Sequence, residues 1–186
     1  MRLFVGIDLP EPATRQLSQL IGQLRPLAAI RWSRPANLHI TTKFIGEWPE
    51  SRLDEMKSAL SGAANLGGFP VILRGLGWFP NARAPRIFWI GVEAGRALAE
   101  LALATEVAVE TLGVAREDRP YRPHLTLARL STVNEHELAV LRQAIAPLET
   151  NDFFSFEPAA FHLYESKPRP GGPVYTKLAS YSLRAA

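Results

Sequence analysis

Short runs of β-branched and aromatic residues alternate along the chain with longer stretches in which apolar side chains recur at helical spacing. Arg2 to Leu9, dense in Leu, Phe, Val and Ile, predicts a strand. Pro10-Glu11-Pro12 stops it, and Pro is well placed at a helix start. Leu17, Leu20, Ile21 and Leu24 then follow at helical spacing, with Pro26 as the breaker. Ile30-Arg31-Trp32 reads as a short strand, Pro35-Ala36-Asn37 as a turn, and His39 to Gly46 as a strand. Ser51 to Ala64 carries Leu53, Met56, Leu60 and Ala63 on one helical face and should end at Asn65-Leu66-Gly67-Gly68.

Phe69 to Gly77 and Arg86 to Glu93 predict strands, with Trp78 to Pro85 as the hairpin tip between them. Gly95 to Leu112 is Ala- and Leu-rich and predicts a helix. A charged loop over Val114 to Arg122 leads to a strand from His124. Asn134 to Leu148 predicts a helix with Asn134 as N-cap and Glu137 at the reach-back position of a capping box. Phe153 to Glu165 and Val174 to Leu183 read as two closing strands joined by a loop over Lys167 to Pro173. Several strands and about four helices make an α+β chain.

One pattern repeats. His39-Ile40-Thr41 opens one predicted strand and His124-Leu125-Thr126 opens another, one in each half of the chain. Strand side chains alternate faces, so His and Thr at i and i+2 point the same way. The repeat suggests a single domain of two similar lobes related by a pseudo-twofold, with helices covering the outer face of each sheet.

Composition narrows the chemistry. The 186 residues suit one domain or two joined lobes, long enough to bury roughly 70% of the unfolded surface. A net charge of +3 and a pI near 9.5 are only mildly basic, which tolerates a phosphate-bearing partner without marking a polyanion binder. With no cysteine, disulfides, thiolate catalysis and Cys-ligated metals are excluded, and a reducing cytoplasm is the simplest home. The opening apolar run is too short for a signal peptide, and no run approaches the ~20 residues of a membrane span. No G-x-G-x-x-G or P-loop is present.

Two imidazoles, each titrating nearest neutral pH, can divide acid and base duty. Two Thr hydroxyls can donate to phosphoryl oxygens, and an Arg can clamp them. Phosphoryl chemistry needs charge stabilisation and in-line placement more than covalent help. With no Asp or Glu in either motif, the pair makes a poor metal site, so the expectation is a reaction without metal or other cofactor. His136 and His162 have no Thr two residues on and are given no role.

The chain resembles the two-histidine (2H) phosphoesterases, specifically the RNA 2′,3′-cyclic phosphodiesterases, also called the 2′-5′ RNA ligase family. The likeness runs from Arg2-Leu3-Phe4-Val5-Gly6-Ile7-Asp8-Leu9-Pro10, through Asn37-Leu38-His39-Ile40-Thr41 and Tyr121-Arg122-Pro123-His124-Leu125-Thr126-Leu127-Ala128-Arg129, to Leu163-Tyr164-Glu165-Ser166 and Gly172-Pro173-Val174-Tyr175. It implies two lobes of mainly antiparallel sheet with a water-filled central groove between them, and hydrolysis of a terminal RNA 2′,3′-cyclic phosphate to a 2′-phosphomonoester. Carried over by position, His39 is the general acid on the leaving 3′ oxygen and His124 the general base on water, while Thr41, Thr126 and Arg129 hold the phosphoryl group. In reverse, an RNA 5′-hydroxyl replaces water and a 2′-5′ linkage forms. The family has an apolar residue after the motif Thr; Thr42 departs from this, Leu127 does not, and Thr42 is expected to face away from the groove.

Arg129 poses a conflict. Strict alternation from His124 puts Thr126 and Ala128 in the groove and Arg129 on the opposite face, whereas the resemblance wants Arg129 at the phosphate; a bulge, or a strand ending near Ala128, reconciles them. Alternation likewise puts Lys43 on the His39 face, as a rim charge or packed stem. Tyr121 and Phe44 are candidates for stacking on an unpaired base, with Trp32 and Trp78 behind them. Arg83, Arg86, Arg119 and Arg122 are candidates for RNA phosphates. The expected partner is thus an RNA end bearing a cyclic phosphate, with the protein a monomer and no membrane involved. Two alternatives remain: a phosphodiesterase for small cyclic nucleotides such as an ADP-ribose cyclic phosphate, and a non-catalytic RNA-end-binding module.

Overall fold

In chain order the elements are β1 (Arg2–Asp8), α1 (Glu11–Leu24), β2 (Arg31–Trp32), β3 (His39–Glu47), α2 (Leu53–Ser61), β4 (Val71–Phe79), β5 (Ile87–Glu93), α3 (Ala97–Glu110), β6 (His124–Arg129), α4 (Glu135–Ile145), β7 (Asp152–Phe156), β8 (Ala160–Lys167) and β9 (Val174–Ser182). The computed structural model describes residues 1–65, 67–131 and 134–183. Leu66, in the expected terminator of the second helix, lies outside the described residues.

Two antiparallel sheets organise the chain. The first runs β3-β1-β8-β9 and the second β2-β6-β5-β4-β7. Without the two-residue β2, each reads motif strand, central strand, third strand, outer strand. The central β1 is buried along Leu3 to Ile7, which its unbroken apolar composition requires of a strand covered on both faces. Its neighbour β3 keeps one half-exposed side at His39 and Thr41.

The helices are exchanged between the sheets. α1 follows β1 of the first sheet but packs against β7 of the second; α3 follows β5 of the second but packs against β3 of the first, beside α2. Leu17, Leu20, Ile21 and Leu24 are the buried stripe of α1, and Leu98, Leu101 and Val109 are buried along α3. All join one apolar core that takes in both sheets. α4 sits against the turn that ends α1, and its Glu137 carboxylate accepts the Ala29 N–H at 3.1 Å.

Three expectations change. β4 continues through Trp78 and Phe79, so the hairpin loop starts at Pro80; Trp78 is in the core, stacked on Phe88 with centroids 4.5 Å apart. The strand expected over Phe153 to Glu165 is two strands in different sheets, broken around buried Pro158, which cannot donate to a ladder. The Asn134 cap forms, its side chain accepting from the His136 N–H, but Glu137 is drawn to Ala29 rather than back to the cap. Among the described residues, no helix is long and apolar enough to cross a membrane.

Candidate active site

The two His-x-Thr motifs open β3 and β6, which approach one another across the space between the sheets. In both strands His and Thr are half-buried while Ile40 or Leu125 is fully buried, as alternation requires. Alternation then breaks in both at the same place. Against β1, Gly6 pairs with Thr41 and Val5 with Lys43, leaving Thr42 extra; against β5, Trp89 pairs with Thr126 and Phe88 with Ala128, leaving Leu127 extra. These are β-bulges. Each buries two consecutive residues, Thr42-Lys43 and Leu127-Ala128, and returns the fifth residue after the His to the His face. That residue is Phe44 in one copy, 58% exposed, and Arg129 in the other.

The bulges resolve Arg129 and correct two placements. Ala128 is fully buried and lies outside the groove, and Lys43 is on the far side of β3 from His39. Its ammonium is 2.5 Å from the Glu106 carboxylate of α3 and donates to the Ala115 carbonyl at 2.9 Å. Arg129 lies close enough for its charge to act on His39, His124 and Tyr175 together. Thr42 is buried away from the groove, as expected, but its hydroxyl has no hydrogen-bond partner.

The two imidazoles are held alike. His39 Nδ1 lies 2.7 Å from the Asn37 carbonyl and His124 Nδ1 lies 2.8 Å from the Arg122 carbonyl, each two residues back. A carbonyl can only accept, so Nδ1 carries the proton in both rings and Nε2 is left for the groove. Each ring rests edge-on against an aromatic side chain at 90°, His39 on Tyr175 (centroids 5.2 Å apart) and His124 on Phe79 (4.9 Å). Burial pushes both imidazoles below the ordinary His value. The carbonyl at Nδ1 opposes this in each, and the Arg129 charge adds to it in each. Gly6 makes room for His39: a Cβ there would stand 3.3 Å from His39 Cδ2 and 2.9 Å from the Ile40 carbonyl oxygen.

The motif strands are pinned by neighbouring loops. The Tyr121 hydroxyl donates to the Thr41 carbonyl at 2.9 Å, and the Ser33 hydroxyl donates to the Thr126 carbonyl at 2.8 Å. Tyr121, half-buried with its hydroxyl so engaged, therefore braces the first motif as it leads into the second. Burial raises its phenol well above the usual range. Trp32 packs edge-on against Phe88 and donates to Ala28, which makes it structural. Arg83, Arg86, Arg119 and Arg122 are exposed; Arg119 pairs with Glu117, and Arg122 lies over the Phe79 ring.

The two halves differ beside the histidines. Asp8 is the cross-strand partner of His39, whereas Gly91 is that of His124. Asp8 accepts from the Tyr164 hydroxyl and from Lys177 Nζ (2.6 Å), and His162 Nε2 is 3.5 Å away. These donors and charges outweigh burial and hold its carboxyl below the usual range, and its charge raises His39 in turn. His162, given no role from sequence, is buried beside it, with Nδ1 2.9 Å from the Ser180 hydroxyl. Sequence reasoning missed Asp8, Tyr164, Tyr175 and Lys177 as a group. Phe4, Gly6 and Asp8 do alternate onto one face of β1, but which strand they border is not legible without the pairing. Among the described residues, no group of three or more His, Cys, Asp or Glu side chains is arranged to hold a metal ion.

Comparison with known proteins is consistent across the chain. The sequence profile of the LigT-like phosphoesterases matches twice, over residues 7–89 and 90–175. An Archaeoglobus fulgidus protein named RNA 2′,3′-cyclic phosphodiesterase is 31% identical over 178 residues, 96% of this chain and 98% of its own length. A Thermus thermophilus protein of the same name is 35% identical, over 99% of this chain and 91% of its own. Among solved structures, that of Escherichia coli LigT complexed with 3′-AMP has a TM-score of 0.78 and 28% identity, covering 98% of this chain and 97% of that one.

Proposed function

The chain belongs to the LigT-like phosphoesterase family, and from that premise we propose that it opens the terminal 2′,3′-cyclic phosphate of RNA to a 2′-phosphomonoester. The observation that supports this reading is the pair of imidazoles held alike, each with Nδ1 at a carbonyl two residues back and Nε2 left free, on two motif strands that approach one another. It is an arrangement for in-line displacement with a base on one side and an acid on the other.

His124 takes a proton from water through Nε2 as the water oxygen bonds to phosphorus. The P–O3′ bond breaks, and protonated His39 gives its Nε2 proton to the 3′ oxygen. Thr41 and Thr126 donate to the non-bridging oxygens, and Arg129 neutralises the charge that builds there. In the reverse sense an RNA 5′-hydroxyl takes the place of water and a 2′-5′ linkage forms; the abundance of water makes hydrolysis the net direction. The reading is of a monomer in the cytoplasm working without cofactor.

The test is an oligonucleotide ending in a 2′,3′-cyclic phosphate, incubated in EDTA, with the product identified by phosphorus NMR. A 2′-phosphate is expected, and His39→Ala and His124→Ala should each lose about 10²–10⁴-fold in kcat while melting as the parent does. A 3′-phosphate product reverses the two roles, and full activity in either variant refutes the mechanism.

A further inference from the structure

The two motif histidines are held alike, yet the proposed reaction needs them in different protonation states. Each has Nδ1 at a carbonyl two residues back and an aromatic ring edge-on against it. What differs is the neighbour across the strand, Asp8 for His39 and Gly91 for His124. We propose that Asp8 decides which histidine is the acid, its carboxylate keeping the one reactive proton on His39 and off His124. The inference rests on the reaction and the roles proposed above, and it makes Asp8 a positioning residue that acts through His39.

Directly opposed residues of paired strands project to the same face, so Asp8 and His39 share one side of the first sheet. Both line a cavity of about 50 Å³, room for a few waters rather than bulk solvent, so the carboxylate charge reaches the ring with little screening. The carboxylate is held in place. The Tyr164 hydroxyl donates to Oδ1, Lys177 Nζ donates to Oδ2 at 2.6 Å, and His162 Nε2 is 3.5 Å from Oδ2. From β6, Arg129 and His124 also act on His39, both lowering it, and Tyr175 of β9 lies against its ring.

Enclosure alone would send the proton the other way. Phe4 and Tyr175 flank the His39 ring, with centroids 4.7 and 5.2 Å away, and its bond to the Asn37 carbonyl is partly buried where that of His124 to Arg122 is exposed. A buried imidazole resists charge. Burial lowers both rings, the carbonyl at each Nδ1 opposes it, and Arg129 lowers both again; the Asp8 charge raises His39 alone. An influence common to both rings drops out of the choice between them, and a one-sided charge decides it. The second sheet has no room for a counterpart. A Cβ at Gly91 would stand 2.5 Å from the Arg74 carbonyl oxygen, so β5 carries no side chain opposite His124.

The test compares the parent with Asp8→Asn and Lys177→Met on the cyclic-phosphate oligonucleotide, as kcat/KM from about pH 5 to 9, with both imidazoles titrated by NMR in the absence of substrate. The amide has the carboxylate's shape without its charge. At high pH the rate follows the proton on the acid, so Asp8→Asn should lose about threefold or more there; at low pH it follows the base, and no loss is expected. The His39 ring should titrate at lower pH than in the parent while His124 stays where it was. Lys177→Met removes the cation that offsets Asp8 and should keep the full rate at high pH. An equal loss at every pH with the His39 titration unmoved gives Asp8 a purely structural role and overturns the proposal. So does a gain confined to low pH, the signature of a charge acting on a base, or a high-pH loss in Lys177→Met that matches Asp8→Asn. A parent that yields no 2′-phosphate refutes the reaction and this inference with it; a parent that yields it, with both variants keeping its profile, refutes this inference alone.

Discussion

Lys43 illustrates how much of the motif strand's stability comes from its buried side. Its side chain is 6% exposed and faces a Glu106 carboxylate that is 21% exposed, 2.5 Å away. Lys43→Met fills the same space but leaves Glu106 without its cation. Breaking one partner of a buried pair costs about 3–5 kcal/mol. Glu106 keeps the Glu117 N–H at 2.7 Å and some contact with water, so the low end, about 3 kcal/mol, is expected. In a protein of 186 residues that is a fall in Tm of roughly 6–12 °C. Lys43→Met combined with Glu106→Leu removes both charges and should recover most of the loss, because a well-packed apolar pair replaces a buried ion pair at little cost. The pH dependence supplies an independent check. Glu106 is held below its ordinary value, first by the hydrogen bond from Lys43. A carboxyl lowered in the folded state contributes stability that is present above its unfolded value and lost as pH falls through the folded one. The gap between parent and Lys43→Met should therefore narrow below about pH 4.5. Urea melts from pH 7 to 3 measure all of this. A single variant costing under about 1 kcal/mol, or a double variant as costly as the sum of the singles, refutes the reasoning.

Two further outcomes concern the site. His124 must be neutral and His39 protonated to react, and both are lowered from 6.5, so the kcat/KM profile should centre on the acid side of that value; Arg129→Ala removes a charge that lowers both and should move the centre to higher pH as well as weaken binding. A profile that keeps its centre in Arg129→Ala shows that the guanidinium does not reach both rings. Gly6→Ala drives a methyl group against the Ile40 carbonyl and the His39 ring; a loss of about 1–3 kcal/mol in stability and a drop in kcat larger than the rise in KM are expected, and unchanged kcat means the ring has room to spare.

Much of the chemistry was legible because it repeats. His39-Ile40-Thr41 and His124-Leu125-Thr126 obey alternation, and alternation alone put four side chains on groove faces. The rule failed one residue later in each strand. A bulge is a property of two paired strands, and nothing within Thr42-Lys43 or Leu127-Ala128 states that Val5 and Gly6, or Phe88 and Trp89, will skip a partner. Strict alternation puts Lys43 on the wrong face for that reason, and Arg129 returns to the His124 face only through the break in β6. Pro158 was a visible signal; a strand read straight through it conceals the step of the chain from one sheet to the other. Asp8 is beside His39 only because β1 runs antiparallel to β3, a long-range pairing that local pattern does not encode.

The exchange of helices between the sheets has a consequence for how the chain can come apart. Neither sheet is built from one half alone: β8 and β9 join β1 and β3 in the first, β2 and β4 join the second, α1 from the first half packs on the second sheet, and α3 from the second half packs on the first beside α2. A severed half would expose the apolar face its partner's helix normally buries, so the two halves are expected to melt in one cooperative transition and, when expressed separately, to regain order only by recombining. The same crossing ties the spacing of the two histidines to the one core that both sheets share.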